Sequence, residues 1–290
     1  MAEITASLVK ELREITGAGM MECKKALVEA DGAIEQAVDV LRTRGLAAVA
    51  KKAGRATNEG LVAALIAEDG KTGALAEVNC ETDFVSRNDV FGGYAAKIVK
   101  AVLENAPADL DALKASNIDG ETVEAVLTDA IHVIGENIQV SRFTRRSVTS
   151  GALSSYIHGG GRIGILVEFA FNNEATASND AFKALAKDIA MQVAAANPGA
   201  VSRDSFSAEV IEHEKAIYKA QAAESGKPEE IQEKMAVGRL EKFFKESALV
   251  EQAYIKDPDK SVRGFIEEVS KAVGDSITVV GFDRFELGQQ

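Results

Sequence analysis

GLVAALIAEDGKTGALAEVNC, residues 60–80, returns 91 positions later as GALSSYIHGGGRIGILVEFAF, residues 151–171. At that shift Gly60 meets Gly151, Ile66 meets Ile157, Gly70 meets Gly161, Gly73 meets Gly164, Leu75 meets Leu166 and Glu77 meets Glu168. The register continues without a gap through Asn88 and Asn179, Asp89 and Asp180, Phe91 and Phe182, Ala95 and Ala186, Ile98 and Ile189, and Val102 and Val193. These are 12 identities in 43 positions, where unrelated sequence of this composition would give about three. The runs 61–67 and 72–80 are short and apolar, and Glu68-Asp69-Gly70-Lys71 between them is turn chemistry. Phe91, Tyr94, Ala95, Ile98 and Val102 then share one face of a helix starting near Asp89. The unit is a hairpin, a loop and a helix, made twice. It predicts an α+β fold whose two hairpins share one antiparallel sheet or face each other.

Upstream, residues 1–55 read as a helical N-terminal docking domain of three short helices. Thr5 caps the first, which carries Leu8, Leu12 and Ile15 and ends before Gly17. The second starts near Met20, turns Cys23, Ala26, Leu27 and Ala30 inward, and stops at Asp31-Gly32. The third carries Ile34, Ala37, Val38 and Leu41, with Gly45 expected beyond its end and a basic linker (Lys51, Lys52, Arg55) following. So small a core suits a docking module. Residues 56–145 form the first core repeat and 146–200 the second. Between the copies, 104–140 reads as helical and polar, with a stripe of Ile131, Ile134 and Ile138. Residues 207–223 and 228–247 read as two long helices joined at Ser225-Gly226-Lys227-Pro228, a projecting hairpin within 201–250. Residues 251–290 return to the core, and 281–287 are strand-like.

The chain has 290 residues, a net charge of −12, two cysteines and three histidines. An acidic surface repels phosphates, so direct nucleic-acid binding is not expected. The one basic cluster, Arg142, Arg145 and Arg146, reads as an exposed strand edge or turn rather than an RNA contact. No CxxC or local His/Cys spacing makes a metal site or a disulfide framework, and a reducing cytoplasm fits. Met1-Ala2-Glu3 leads straight into an amphipathic helix without a signal pattern, and no apolar run reaches the roughly 20 residues that span a bilayer. No cofactor is expected. Gly159-Gly160-Gly161-Arg162-Ile163-Gly164 satisfies GxGxxG, but a strand follows where a dinucleotide site needs a helix N-terminus, so it reads as a hairpin turn. Cys80 and His158 admit a nucleophile–base pairing. Against it, the repeat aligns Cys80 with Phe171, which points to a buried structural thiol. The informative difference between copies is a loop: Thr82-Asp83-Phe84-Val85 in the first stands where the second has Asn173-Glu174-Ala175-Thr176. Phe84 either folds into the local core or is an exposed anchor, and sequence physics leaves both open.

Residues 16–27 (TGAGMMECKKAL) and 77–85 (EVNCETDFV), with the stretches 47–54, 134–138, 155–165, 225–239 and 281–287, closely resemble the bacterial elongation factor Ts family over nearly the whole chain. The resemblance implies a guanine nucleotide exchange factor, with no catalytic chemistry of its own, that binds elongation factor Tu and speeds GDP release. It implies that Thr82–Val85 enters the GTPase near its magnesium site, Phe84 wedging between partner helices while Asp83 disturbs the groups holding Mg²⁺. It also implies that the N-terminal module, similar to ubiquitin-associated (UBA) domains, docks on the same GTPase domain. Lys24, Lys52, Ile134, Gly135, His158 and Ile255 fall on contact positions of the family. Lys256 departs from the apolar residue common in relatives. Past the position of Gln290 the family usually continues into a terminal helix that touches the GTPase, so a lower affinity is expected. In the family the helical hairpin often mediates dimerisation, and a homodimer is an expectation here. Two readings compete with exchange: a non-catalytic adaptor using the UBA-like module, and a cysteine hydrolase using Cys80 and His158.

Overall fold

A computed structural model describes residues 4–16 and 18–289, with the backbone alone at 46–48; the helix stop expected before Gly17 falls outside them. Three helices come first: α1 (Ala6–Thr16), α2 (Met20–Glu29) and α3 (Ile34–Lys52). Thr5 Oγ1 accepts the Leu8 N–H at 3.3 Å at the start of α1. Asp31 and Gly32 take positive φ values of 47° and 85° after α2, which stops it. Leu12, Cys23, Ala26, Leu27, Ala37 and Leu41 form their small shared core.

Gly45 does not end the third helix. α3 continues through it to Lys52, so the expected linker is mostly helix. A Cβ at Gly45 would lie 3.3 Å from Thr128 Cγ2. The residue is therefore a close crossing between α3 and the core, and its cost to the helix is offset by that approach.

The core opens with β1 (Glu59–Ile66) and β2 (Thr72–Cys80), then a single turn α4 (Asp83–Ser86) and α5 (Asp89–Asn105). Next come α6 (Leu110–Ala115), the short pair β3 (Asn117–Ile118) and β4 (Glu121–Thr122), α7 (Val123–Ile134) and β5 (Gln139–Ser147). Ile138, expected on a helical stripe, lies past the end of α7 and is buried beside β5. The second half contains β6 (Ala152–His158), β7 (Ile163–Ala170), α8 (Asp180–Ala196), α9 (Ala208–Ala223) and α10 (Glu229–Ser247). It closes with β8 (Ala253–Tyr254), β9 (Asp257–Ser261), α11 (Val262–Val273) and β10 (Thr278–Glu286). Among the described residues no helix is long and apolar enough to cross a membrane.

Two antiparallel three-stranded sheets result, ordered β1-β2-β5 and β10-β7-β6. Helices cover one face of each: Phe91, Ile98, Val102 and Ala130 in the first, Phe182, Ile189 and Ile266 in the second. The opposite faces meet through Val62, Leu75, Leu153 and Leu166. The turns tie the sheets reciprocally. Leu153 N–H donates to Gly70 O at 2.8 Å, and its counterpart Val62 N–H donates to Gly161 O at 2.8 Å. Val148 N–H donates to Lys71 O at 2.9 Å and Leu287 N–H to Arg162 O at 2.8 Å, each extending the ladder within its own sheet. Each hairpin turn completes the other copy.

The duplication reaches further than the hairpins. A second shift, of 139 residues, superposes α7 and β5 on α11 and β10, pairing Val123 with Val262, Gly135 with Gly274, Ile138 with Ile277, Val140 with Val279, Phe143 with Phe282 and Arg145 with Arg284. Both third strands carry a bulge at the same place: the ladder skips Ser141 opposite Glu77 and Val78, and Val280 opposite Glu168 and Phe169. The shift grows from 91 to 139 because the second copy accommodates α9 and α10.

Arg142, Arg145 and Arg146 lie on the edge strand β5, as expected, and Arg145 is exposed, but Arg142 and Arg146 are half-buried, which corrects that reading for these two. Arg142 Nε lies 2.8 Å from Glu77 Oε2, and Glu77 is 3% exposed. Arg146 bridges Glu168 at 3.0 Å and Asp283 at 2.5 Å, and these carboxylates hold its guanidinium more firmly protonated than usual. Two of the three basic side chains thus neutralise acids between the sheets, which also explains why Glu77 and Glu168 share a repeat position.

A Cβ on Gly164 would lie 2.3 Å from Val62 Cγ1, whereas nothing lies within 4 Å of one on Gly70. Gly164→Ala is expected to cost about 1–3 kcal/mol by overpacking. Gly70→Ala carries only the strain of its positive φ, about 1–2 kcal/mol. Urea denaturation of both variants measures the difference.

Candidate functional site

The strand β2 ends at Cys80, and nine positions later α5 must begin in a different direction. The loop between them is held by one carboxylate. α7 ends at Gly135, whose left-handed φ of 87° caps the helix with its N–H on Ile131 O. That turn delivers Glu136 to the loop. Glu136 Oε2 accepts the N–H groups of Glu81 at 2.9 Å and Thr82 at 3.0 Å, and Oε1 accepts the Thr82 hydroxyl at 2.6 Å. Thr82 Oγ1 in turn accepts the Val85 N–H at 3.4 Å as the N-cap of α4. Three bonds to an ionised carboxylate contribute about 1.5–3 kcal/mol each, and fixing each loop residue costs about 1–2 kcal/mol. The two are of similar size, so the clamp offsets much of the cost of ordering the loop.

Held this way, α4 splits its apolar side chains. Val85 packs against the first core, while Phe84 stands 85% exposed. Asp83 is half-buried and lies 3.0 Å from Arg87 one turn on, an exposed pair that stabilises little. The loop thus displays an aromatic ring beside a carboxylate on an otherwise tied backbone.

The second copy has the same clamp and no ring. Gly274, left-handed at φ 75°, caps α11 and delivers Asp275. Asp275 accepts the N–H groups of Asn172 at 3.2 Å and Asn173 at 2.9 Å, the counterparts of Glu81 and Thr82, and the Thr176 hydroxyl at 2.7 Å. These bonds, the hydroxyl first, hold its carboxyl down at about 2. Glu136 escapes sequence reading because its partners lie 54 and 55 positions away; the signal that finds it is the 139-residue shift, which pairs Gly135-Glu136 with Gly274-Asp275.

The other expected contact residues divide in two. Ile134 and Gly135 adjoin the clamp, half-buried and exposed respectively. Lys52 reaches the same corner from α3, its ammonium donating to Ile131 O at 3.1 Å; burial, then repulsion by Arg55, pushes its pKa down. Lys24 is exposed on α2, as are Met20 and Met21, an apolar pair that composition alone does not mark. His158 and Ile255 belong to the second half: His158 is exposed at the end of β6 with Nδ1 3.1 Å from the Tyr156 hydroxyl, and Ile255 is 41% exposed between β8 and β9.

Cys80 and His158 are not brought together as a nucleophile and base. Cys80 is fully buried, its thiol donates to Thr82 O at 3.2 Å, and burial pushes its pKa up to about 12. A thiol so protonated is a poor nucleophile.

The family profile described as "Elongation factor TS" matches residues 81–289. The chain is 51% identical over 287 residues to a protein named Elongation factor Ts from Clostridium perfringens (strain 13 / Type A), covering 99% of this chain and 93% of that one. It is 48% identical over 289 residues to the protein of that name from Trichlorobacter lovleyi, with the same 99% and 93% coverage. With the one from Desulfovibrio desulfuricans it shares 49% identity over 292 residues, covering 100% of each chain.

Two outcomes follow. A thiol reagent at pH 8 should leave Cys80 unmodified in the folded protein and label it only after denaturation. Asp275 has a carboxyl pKa lowered on folding, so it favours the folded state above the ordinary range near ~4, and that contribution fades as pH falls toward 2. Asp275→Asn should therefore lower Tm at pH 7, and the gap from wild type should narrow by pH 2–3 in thermal melts.

Proposed function

The chain belongs to the elongation factor Ts family, the nucleotide exchange factors of translation elongation, and from that membership and the pose of Phe84 we propose that it expels GDP from elongation factor Tu by driving this ring against the GTPase's magnesium-binding region. The observation that carries the proposal is the 85% exposure of Phe84 on a backbone tied at Glu81 and Thr82. An aromatic ring left this far outside its own core, on a tied backbone, fits the role of a docking anchor. Asp83 beside it brings negative charge toward the groups that hold the ion. Once Mg²⁺ is displaced, the phosphate charge of GDP is left uncompensated and the nucleotide leaves.

Magnitudes limit what the ring does alone. Burying one Phe contributes about 1.5–3 kcal/mol, about ten- to a hundredfold in affinity. Larger enhancement requires the remaining contacts to hold the GTPase in its low-affinity state. In this reading the UBA-like module of α1–α3 docks first, presenting Lys24 and the exposed Met20 and Met21. Lys52, Ile134 and Gly135 sit beside the wedge, and His158 and Ile255 extend the contact across the second half. Coupling is reciprocal: a factor that weakens GDP binding is itself weakened by GDP, and so cycles off when nucleotide returns. The site of action is the cytoplasm. The hairpin of α9 and α10, with Ile231 44% and Val237 62% exposed, is a surface for self-association.

Phe84→Ala is expected to keep most of the binding to elongation factor Tu and to lose most of the acceleration of GDP release. Stopped-flow release of a fluorescent GDP measures it. Wild-type release rates in a folded Phe84→Ala variant would refute the wedge.

A further inference from the structure

We propose that Glu136 is a positioning residue for exchange: its carboxylate fixes the pose of Phe84, and so governs how fast a bound GTPase loses GDP rather than how tightly the two proteins bind. The inference rests on the exchange reading above for its functional half. Its structural half stands on geometry alone.

Three donors converge on this one side chain, from Glu81 N, Thr82 N and Thr82 Oγ1. All three lie within three residues of Phe84, on its N-terminal side, and among the described residues no other side chain is hydrogen-bonded to those two amides. Phe84 itself is 85% exposed, so its direction is set by backbone and not by packing. The corresponding amides of the second copy, at Asn172 and Asn173, are held by Asp275. There the position of Phe84 is filled by Ala175. The clamp is thus a feature of the duplicated scaffold, and only the first copy has a ring for it to aim.

The same corner gathers the N-terminal module. Asn137, next to Glu136, donates from Nδ2 to Arg55 O at 2.8 Å and from its backbone N–H to Glu81 Oε1 at 2.6 Å. Arg55 Nη1 lies 3.4 Å from that same Glu81 oxygen. The end of the docking module, the end of α7 and the root of the Phe84 loop are therefore joined by hydrogen bonds at one corner. A module that docks on the partner brings the ring with it in a fixed direction.

Glu136→Gln tests this in the full-length protein. The amide oxygen can still accept from the two N–H groups, but the NH₂ cannot accept the Thr82 hydroxyl, so that bond is reversed or lost and the negative charge that strengthens all three is gone. Two measurements are made: amide hydrogen exchange over residues 81–86 in the free protein, and fluorescent-GDP release from elongation factor Tu across a range of factor concentrations. The expected result is faster amide exchange in that segment, a maximal release rate lowered about tenfold, and a half-saturating concentration within about threefold of wild type. Asp275→Asn, which loosens 172–176 instead, is expected to leave the maximal rate within about twofold. Unchanged protection at 81–86 in Glu136→Gln would overturn the clamp. Equal loss of rate in the Glu136 and Asp275 variants would overturn the positioning role, since general loosening would explain both. Where Glu136→Gln does not fold, Thr82→Val removes the hydroxyl bond to Glu136 together with the N-cap of α4, leaves the two amide bonds, and must show partial losses in both measurements; wild-type behaviour overturns the proposal. Phe84→Ala in parallel separates the two readings: if it releases GDP like wild type, the exchange reading fails, while the amide-exchange measurement still decides the clamp.

Discussion

A phenyl ring in water has no neighbours to orient it, so any direction it keeps must come from the backbone beneath it. At Phe84 that constraint is met by a single carboxylate accepting two consecutive amides and a hydroxyl. The bonds are charge-assisted and convergent, the arrangement that resists loop fraying best for the number of residues used. Remove the carboxylate, and the ordering cost of the loop is no longer offset. The ring would still be present, without an address.

The platform under the clamp is stiff for a different reason. Each sheet's inner face is covered by the other, and a carbonyl in each hairpin turn accepts a strand N–H of the opposite copy. Glycines at 73 and 164 let the layers approach to where any side chain would collide. Arg146 then cross-links β5 to β7 and β10 through Glu168 and Asp283, and Arg142, paired with Glu77 of its own sheet, also reaches Glu286 O on β10. A duplicated scaffold of this kind leaves few internal hinges. The copies differ in a Phe for an Ala and in an inserted helical hairpin, positions the shared scaffold leaves free to specialise.

Much of this was legible in the chain, for identifiable reasons. The 91-residue repeat is gapless from Gly60 to Val102, so its turn glycines and helix face read directly. The strand pair β1 and β2 and the helices α5, α9 and α10 follow from apolar runs, turn residues and periodicity. The remainder depended on long-range contacts. Gly45 looks like a helix stop because glycine usually is one, and the reason it is not lies across the interface at Thr128. Arg142 and Arg146 look solvent-bound until the acids facing them are known. Glu136 looks like one more surface carboxylate, because its partners are more than 50 residues away and its homologue Asp275 sits at a shift displaced by the inserted hairpin. For Phe84 the pattern left two poses open, core or solvent, and the fold resolves them in favour of solvent.

The central claim is that this solvent-facing ring becomes buried in a partner and that nucleotide drives it out again. A fluorine label on the ring of Phe84, observed by ¹⁹F NMR, reports this directly. The account predicts a shifted, broadened resonance when nucleotide-free elongation factor Tu is added, and a return to the free position when GDP is supplied. A resonance that keeps its solvent-exposed shift throughout complex formation would contradict it.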